Sequence, residues 1–291
     1  MEYQGAVIRP PSEADSIILQ VAVGCPHNSC TFCGAYRAPE QQFHLKDAAL
    51  VERDLEFAAQ HCRRLNAVFL ADGDALIIPQ QRLLSLCRRI REMLPWVRRI
   101  SLYASSRSIL SRSPEELAAL KAAGLGRIYM GLESGCDQVL RDIRKGAAAA
   151  EMVAAGRRAR EAGLFLSVTC LLGIGGAARS QEHAEATAAA LNQMQPNQIA
   201  VLTLMLLDNT ELGQAAKGGR FQLPGQLALL HELRTMLAVL TECRCQFHAN
   251  HASNYLSLTG RLPKDRERFL AQIGCALAGT ARLKPEWLRG L

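Results

Sequence analysis

The sequence predicts an α/β fold, a partial (β/α)6 TIM-like barrel of parallel strands with helices outside and a C-terminal cap. Short apolar runs alternate with longer amphipathic segments about six times along the chain, a pattern that favours a parallel sheet covered by helices. The chain has 291 residues, of which 49% are hydrophobic, so it can bury one large core. No low-complexity tract or block of charge divides the sequence.

The predicted elements follow one another in order. Apolar runs predict strands at 16–23, 65–71, 99–105, 127–133, 164–173 and 198–207. Apolar residues at helical spacing predict helices at 47–61, 81–94, 113–124, 147–163, 180–194 and 223–242. Ser113, followed by Pro114, is the predicted N-cap of the third helix. We therefore expect three regions: an N-terminal extension (1–13), a core (14–222), and a last core helix with a C-terminal cap (223–291).

The charge distribution indicates little about binding partners. The net charge is +7, but the positive residues are scattered as arginine pairs on predicted helix surfaces and ends. A solvated face is the favoured interpretation, and an anionic small molecule or nucleic acid stays an alternative. The first ten residues, MEYQGAVIRP, do not resemble a signal peptide, and no apolar run approaches the ~18 residues that span a bilayer. We therefore expect a cytoplasmic protein that does not enter a membrane.

The chain contains ten cysteines, which should be reduced thiols in the cytoplasm. Five lie in apolar helical or strand surroundings and are predicted to pack as small hydrophobic side chains: Cys62, Cys87, Cys136, Cys170 and Cys275. Cys243 and Cys245, in the segment ECRCQ, have no nearby partners in the sequence and are not assigned to a site.

The other three cysteines lie close together directly after the first predicted strand. Cys25, Cys30 and Cys33 have the spacing C-x4-C-x2-C in VAVGCPHNSCTFCGAYR. Ligands of parallel α/β folds gather at the carboxyl ends of the strands. A structural zinc site needs four protein ligands, and only Cys62 or a histidine could supply a fourth. A cubane iron–sulfur cluster held by three cysteines has one iron open for an exogenous ligand.

On these residues the sequence resembles the radical S-adenosylmethionine (radical SAM) superfamily. Cys25, Cys30 and Cys33 resemble the cluster triad of that superfamily, and Phe32 stands in its usual aromatic position before the last cysteine. The spacing is one residue longer than the commonest form, C-x3-C-x2-C. The resemblance implies that these three thiols hold a [4Fe–4S] cluster.

Two glycine-containing segments resemble the superfamily in the expected order along the chain. ADGDAL, which follows the second strand, resembles the Gly-Gly-Glu segment that holds the ammonium group of the cofactor, with Gly73 and Asp74 in that role. A tight turn is the simpler interpretation of the same residues. LLGIGG (171–176) resembles a glycine-rich turn that lets the backbone approach the adenosine, and a plain strand-to-helix turn is the alternative.

The segments YMGLESG and LRDIRKG resemble one branch of the superfamily, which includes coproporphyrinogen dehydrogenase and the Elongator-type radical enzymes. The resemblance implies that Glu133 and Lys145 contact the methionine or ribose part of the cofactor. A carboxylate can bind an ammonium group or ribose hydroxyls, and an ammonium group can bind a carboxylate. Ser105 and Thr169 are further candidates for ribose contacts.

The resemblance implies an enzyme, an oxidoreductase or transferase. An open-iron [4Fe–4S] cluster would cleave S-adenosylmethionine (SAM) reductively, and the 5′-deoxyadenosyl radical would abstract hydrogen from an unidentified substrate. The implied partners are a reductant such as flavodoxin or ferredoxin and a small-molecule substrate in preference to nucleic acid. Two alternatives stay open: a zinc-binding scaffold or RNA-binding module, and a cluster-carrying protein without SAM turnover.

A polar segment near the C-terminus is the predicted substrate region. QFHANHASNYLSL contains His248, His251 and Asn254, which we predict to be catalytic because they could hold a polar substrate, donate a proton or ligate a metal. The alternative is a hydrogen-bonded cap that closes the core. Three further histidines on predicted helix faces or edges are expected to be solvent-exposed: His44, His183 and His231.

Overall fold

The computed structural model describes residues 1–290, in which strands and helices alternate. The strands are β1 (Ile17–Gln20), β2 (Ala22–Val23), β3 (His44–Leu45), β4 (Ala67–Ala71), β5 (Arg99–Tyr103), β6 (Leu125–Glu133), β7 (Phe165–Leu172), β8 (Gln198–Thr203), β9 (Cys245–Ala249) and β10 (Leu258–Leu262). The α-helices are α1 (Ala48–His61), α2 (Gln80–Met93), α3 (Ser106–Leu110), α4 (Pro114–Ala122), α5 (Asp137–Asp142), α6 (Ala149–Glu161), α7 (Ser180–Met194), α8 (Glu211–Lys217), α9 (Gln226–Val239) and α10 (Arg266–Leu277).

The chain forms two compact units. Unit 1 contains Met1–Asn28, Ala35–Met130 and Arg158–Leu166, and unit 2 contains Ser29–Gly34, Gly131–Arg157 and the residues from Ser167 onward. The predicted alternation of parallel strands with helices is confirmed in each unit. In unit 1, Ser113 caps α4 in a capping box with Glu116, as the sequence predicts.

Four parallel strands form the sheet of unit 1. β1 pairs with β4, β4 with β5, and β5 with the first part of β6. The register aligns Phe69 with Ser101, and Ser101 with Arg127, so these side chains share one face. The opposite face carries fully buried aliphatic residues, among them Leu70 and Leu102. This second face is the apolar core of the unit.

The chain's own N-terminus covers the first of these faces. We call residues 3–13 the N-terminal strap. Val7 packs against the cluster that contains Phe69 and Tyr129. At the end of the strap, Ser12 Oγ lies 2.8 Å from the hydroxyl of Tyr129, and that hydroxyl donates to Glu13 at 2.5 Å. The strap is therefore a bonded part of unit 1.

Polar side chains also join the strap to the carboxyl ends of β1 and β4. The backbone N–H of Gln4 donates to Oε1 of Gln20 at 2.8 Å, and the Gln20 amide donates back to the Gln4 carbonyl at 3.0 Å. The N–H of Ile8 donates to the carboxylate of Asp72 at 3.4 Å. These bonds satisfy polar groups that would otherwise be buried without partners.

Unit 2 contains β7, β8 and β9 in parallel, with β10 antiparallel to β9. The sequence predicts no regular alternation after Cys243, whereas the structure continues the sheet with β9 and β10 and adds α10. β9 is only five residues long, and its alternating burial is the pattern of a half-buried strand. No helix within residues 1–290 is long and apolar enough to cross a membrane.

The cysteines outside the triplet are thiols in the structure. Five of them are buried: Cys87, Cys136, Cys170, Cys243 and Cys245. Burial of the first three is what the packing interpretation predicts, and Cys62 is half-buried at the end of α1. Cys275 is exposed on α10, so the packing prediction is wrong for that residue because its side of the helix faces solvent.

Candidate cofactor site

Cys25 and Gly73 are brought together in unit 1. Cys25 follows β2, after a glycine with φ of +72°, and Gly73 follows β4. A Cβ added to Gly73 would lie 2.8 Å from the Cβ of Cys25, which is closer than side-chain atoms approach each other. Only glycine allows this approach of the ADGDAL turn to the first cysteine.

Asp74 and Ser105 form a second pair in unit 1. The buried carboxylate of Asp74 accepts a hydrogen bond from Ser108 Oγ at 2.8 Å. Ser105 is the N-cap of α3 and accepts the N–H of Ser108 at 3.1 Å. Burial raises the pKa of Asp74, and the hydrogen bonds from Ser105 and Ser108 oppose that rise. The two predicted cofactor residues thus share one hydrogen-bonded group at the start of α3.

Asp72 is a buried carboxylate that the sequence pattern does not single out. It accepts hydrogen bonds from the Tyr36 hydroxyl and from the Gln20 amide, each at 3.0 Å. Burial raises the pKa of Asp72, against the effect of these bonds. The signal in the sequence is the position of Asp72 directly after a fully buried strand, because ionisable groups in such surroundings are often functional.

In unit 2, the segment with Cys30 and Cys33 is fixed by its backbone. The N–H of Thr31 donates to the carbonyl of Ile143 at 3.0 Å, and the N–H of Leu212 donates to the carbonyl of Thr31 at 2.9 Å. The N–H of Cys33 donates to the carbonyl of Cys30 at 3.3 Å. The two thiols therefore lie on one turn held between the ends of α5 and α8. Phe32, between them, is half-buried.

Glu133 and Lys145 form an ion pair in the same unit. Lys145 Nζ lies 2.9 Å from Oε1 of Glu133, and Glu133 has a left-handed backbone with φ of +61°. Burial acts to lower the pKa of Lys145, but the Glu133 carboxylate and the thiols of Cys30 and Cys33 raise it. The structure thus gathers the two predicted cofactor residues with two of the three predicted cluster ligands.

The three cysteines do not form one described metal group. Within residues 1–290, no three His, Cys, Asp or Glu side chains are arranged to hold a metal ion. Cys25 belongs to unit 1, and Cys30 and Cys33 belong to unit 2, so their joint role stays a prediction. The donor set still fits an iron–sulfur cluster, because all three are half-exposed thiols and two of them lie within the field of a lysine.

Thr169 and His248 lie in one row across the sheet of unit 2. The register places Thr169 opposite Ala200, and Ala200 opposite His248, and all three are half-buried. Burial lowers the pKa of His248, so its imidazole is neutral at neutral pH. Within residues 1–290 the His248 side chain forms no hydrogen bond, so both ring nitrogens are available to a ligand.

Asn254 and His251 are bonded inside the chain. Asn254 accepts the hydroxyl of Thr203 and donates to the carbonyl of Val201, both at 2.8 Å. The N–H of Ser253 donates to Nδ1 of His251 at 3.2 Å. Burial, followed by the charge of Lys284, lowers the pKa of His251. Of the three predicted catalytic residues, His251 and Asn254 are therefore bonded within one turn. His248 is the one whose side chain has no hydrogen bond within residues 1–290.

A family model described as the Radical SAM superfamily matches residues 19–189, more than half of the chain. The chain belongs to the radical SAM superfamily. A comparison with curated proteins gave no match.

Solved radical SAM structures share the fold at low sequence identity. TsrM, a radical SAM methyltransferase from Kitasatospora setae with cobalamin and a [4Fe–4S] cluster bound, has a TM-score of 0.57 at 19% identity, over 69% of this chain and 39% of TsrM. Coproporphyrinogen III oxidase (HemN) from Escherichia coli has a TM-score of 0.56 at 19% identity, over 78% of this chain and 52% of HemN. Elp3 from the archaeon Methanocaldococcus infernus has a TM-score of 0.54 at 11% identity, over 92% and 64%.

These findings confirm the predicted superfamily and α/β class, and the neighbours include both kinds of protein named for the branch that the motifs resemble. A [4Fe–4S] cluster and SAM are the cofactors of radical SAM proteins, so the predicted cofactors are confirmed at the level of the family. Members of the superfamily are enzymes. The chain spans 39% of the length of TsrM and 52% of the length of HemN.

His183 differs from its sequence-based prediction. His183 is fully buried, so the expectation of a solvent-exposed side chain is wrong; α9 covers this face of α7. His44 and His231 are exposed, as predicted, although His44 lies on β3 and not on a helix.

Proposed function

We propose that this radical SAM protein cleaves SAM reductively and abstracts hydrogen from a small-molecule substrate. The observation that carries the proposal is the Glu133–Lys145 ion pair beside the turn of Cys30 and Cys33. It puts a carboxylate and an ammonium group next to two thiols of cluster spacing. A purely structural zinc site would have no need of this pair.

Cys25, Cys30 and Cys33 would hold the cluster, and Phe32 would pack beside it. When bound, an open-iron [4Fe–4S] cluster supplies one electron to SAM, which splits into methionine and the 5′-deoxyadenosyl radical. Lys145, whose pKa is raised, stays protonated and can exchange part of its pairing with Glu133 for the carboxylate of SAM.

The remaining cofactor candidates would contact and orient SAM. Gly73 lets the ADGDAL turn approach Cys25 closely, and the backbone of this turn would bind the ammonium group of SAM. The Asp74 carboxylate is held in place by serines, so it can act without reorganising, and Ser105 would support it. Thr169 would reach the ribose from the open face of the unit 2 sheet.

His248 is the residue we propose to meet the substrate. Its neutral imidazole can accept a proton from a substrate or donate one to it, and no side chain of residues 1–290 competes for it. His251 and Asn254 would hold the neighbouring turn in place through Ser253, Thr203 and Val201.

We further propose that the electron comes from a flavodoxin or ferredoxin and that the protein works in the cytoplasm, where thiols stay reduced. A nucleic-acid substrate is disfavoured because the positive residues are scattered as arginine pairs and do not form a continuous basic segment.

The test is anaerobic reconstitution followed by measurement of iron, zinc and 5′-deoxyadenosine. We expect about four irons per chain and reductive cleavage of SAM. Cys30→Ala should abolish both, whereas Cys62→Ala, a matched thiol variant outside the triplet, should change neither. One zinc per chain without iron would favour the scaffold alternative, and iron without SAM cleavage would favour a cluster carrier.

A further inference from the structure

His183 on α7 lies between two turns that the sequence predicts to face the cofactor. The Glu133 turn (residues 133–136) ends β6, and the glycine turn (residues 173–176) follows β7. His183 has no access to solvent. A histidine buried between two cofactor-facing turns is a group that the proposed function does not yet use.

The Glu133 turn is hydrogen-bonded to α7 at two points. Ser134 Oγ lies 2.8 Å from Nδ1 of His183. The N–H of Gly135 donates to Oγ1 of Thr187, one helical turn further, at 2.9 Å. A Cβ added to Gly135 would collide with the backbone of Ala186, so only glycine lets the turn approach the helix this closely.

The glycine turn is held by Glu232 on α9. Oε1 of Glu232 accepts the N–H of Gly173 at 2.6 Å, and Oε2 accepts the hydroxyl of Ser180. Nε2 of His183 lies 3.5 Å from Oε1 of Glu232, and a Cβ on Gly175 would lie 3.1 Å from the Cβ of His183. The imidazole of His183 therefore contacts the Glu133 turn through Nδ1, and its Nε2 faces Glu232, which holds the glycine turn.

The charges of this pair fit such a connection. Burial lowers the pKa of His183 to about 4, and burial raises the pKa of Glu232 to about 7 against the bonds from Ser180 and Gly173. A neutral imidazole with its proton on Nε2 presents Nδ1 as an acceptor to the Ser134 hydroxyl. Within residues 1–290, His183 is the only basic side chain within ion-pair distance of Glu232.

We propose that His183 and Glu232 are positioning residues that couple the Glu133 turn to the glycine turn and thereby align both turns on SAM. The inference rests on the proposed function and deepens it. A shift of the Glu133 turn breaks the buried Ser134–His183 hydrogen bond, and a shift of the glycine turn breaks the buried Gly173–Glu232 hydrogen bond. No solvent partner can replace either bond, and His183 and Glu232 pack against each other at 3.5 Å.

Hydrogen exchange of the chain without cofactors tests the coupling directly. His183→Ala removes both contacts, whereas His183→Asn keeps a polar atom near Ser134 and loses the approach to Glu232. We expect faster exchange in both turns for H183A, and faster exchange in the glycine turn alone for H183N. Glu185→Gln, an exposed position on the same helix, is the matched control and should exchange like the wild type.

SAM binding to the anaerobically reconstituted protein, measured by equilibrium dialysis, tests the consequence. We expect H183A to raise the Kd for SAM about tenfold and Glu232→Gln to raise it about threefold, with E185Q unchanged. As pH falls through about 7 the wild-type Kd should rise, because a protonated Glu232 is a weaker acceptor for the Gly173 N–H. E232Q should lose this pH dependence, which a merely structural role would not predict.

The coupling is contradicted if the glycine turn of H183A exchanges as slowly as that of the wild type. It is also contradicted if the wild type binds SAM and every variant binds SAM with the same affinity. If H183A does not fold, H183N and E232Q decide the question. A wild type that binds no SAM would contradict the proposed function instead, while the exchange experiment would still report whether the two turns are coupled.

Discussion

One strand face in each unit carries aromatic or polar side chains, and the two units use these faces in opposite ways. In unit 1 the N-terminal strap covers the face that carries Phe69 and Tyr129, and its polar atoms are bonded to the sheet. In unit 2 the face that carries Thr169, Ala200 and His248 is half-buried, and the His248 side chain has no hydrogen bond within the described chain.

The difference separates stability from ligand binding. A strand face that is covered by a bonded segment of the same chain contributes to folding and leaves little room for a ligand, whereas an unbonded polar group on a half-buried face can pair with one. We therefore assign the covered face of unit 1 to stability and the open face of unit 2 to the substrate.

The largest expected effect is on stability, from a change at the strap. Glu13 is fully buried and accepts hydrogen bonds from Arg99 at 2.9 Å and from Tyr129 at 2.5 Å. Glu13→Ala should lower the free energy of unfolding by about 4 kcal/mol, because a charged partner is left without its carboxylate. Denaturant unfolding of the apo chain measures the change. Glu40→Ala, at an exposed position, should change it by no more than about 0.5 kcal/mol.

The contrast between the two units fails if the strap can be detached from the sheet without a loss of stability. If E13A unfolds at the same denaturant concentration as the wild type, the strap does not stabilise unit 1, and the covered face would have to be counted as accessible to ligands as well.

Much of the fold follows from local pattern. The long apolar runs predict β4, β5 and β7 because parallel strands buried on both faces contain continuous Val, Ile and Leu. β9 is missed because five residues of alternating burial give a weak signal. The strap is missed because a segment without regular structure, held by side-chain bonds to distant residues such as Gln20 and Asp72, has no periodicity to detect.

The candidate site divides in the same way. The spacing of Cys25, Cys30 and Cys33 and the segments around Glu133 and Lys145 are local in sequence, so they can be found there. The burial of His183 depends on a helix 49 residues further along the chain, where Glu232 faces it. Long-range contacts of this kind leave no mark on the amphipathic pattern of α7 alone.

The buried carboxylates of the two units face partners of different charge. Glu13 in unit 1 faces an arginine, which is always charged, whereas Glu232 in unit 2 faces a histidine that stays neutral. The pKa of Glu232 rises from 4.5 to about 7 on folding, so its contribution to stability is complete below pH 4.5 and is lost as pH rises through 7. The pKa of His183 falls from 6.5 to about 4, so its contribution is present above pH 6.5 and is lost as pH falls through 4.

Between pH 4.5 and 6.5 these two slopes oppose each other in the wild type, and each variant should expose one of them. H183N should become less stable as pH rises from 4.5 to 7, and E232Q should become less stable as pH falls from 6.5 to 4, each by about 3 kcal/mol. Urea unfolding at a series of pH values measures both slopes. If the free energy of unfolding changes with pH in the same direction in both variants, the opposite pKa shifts of Glu232 and His183 are contradicted.

The smallest expected effect on stability is at the open face. His248→Ala should change the free energy of unfolding by no more than about 0.5 kcal/mol, because the half-buried imidazole has no hydrogen bond to lose. The same variant should lose substrate conversion, which we would follow by mass spectrometry of cell extract incubated with reconstituted enzyme, seeking a mass change that accompanies 5′-deoxyadenosine. If H248A is strongly destabilised, His248 contributes to stability as the bonded residues of unit 1 do, and the contrast between the two faces fails. If H248A converts substrate normally, His248 is not the proton donor or acceptor that we propose.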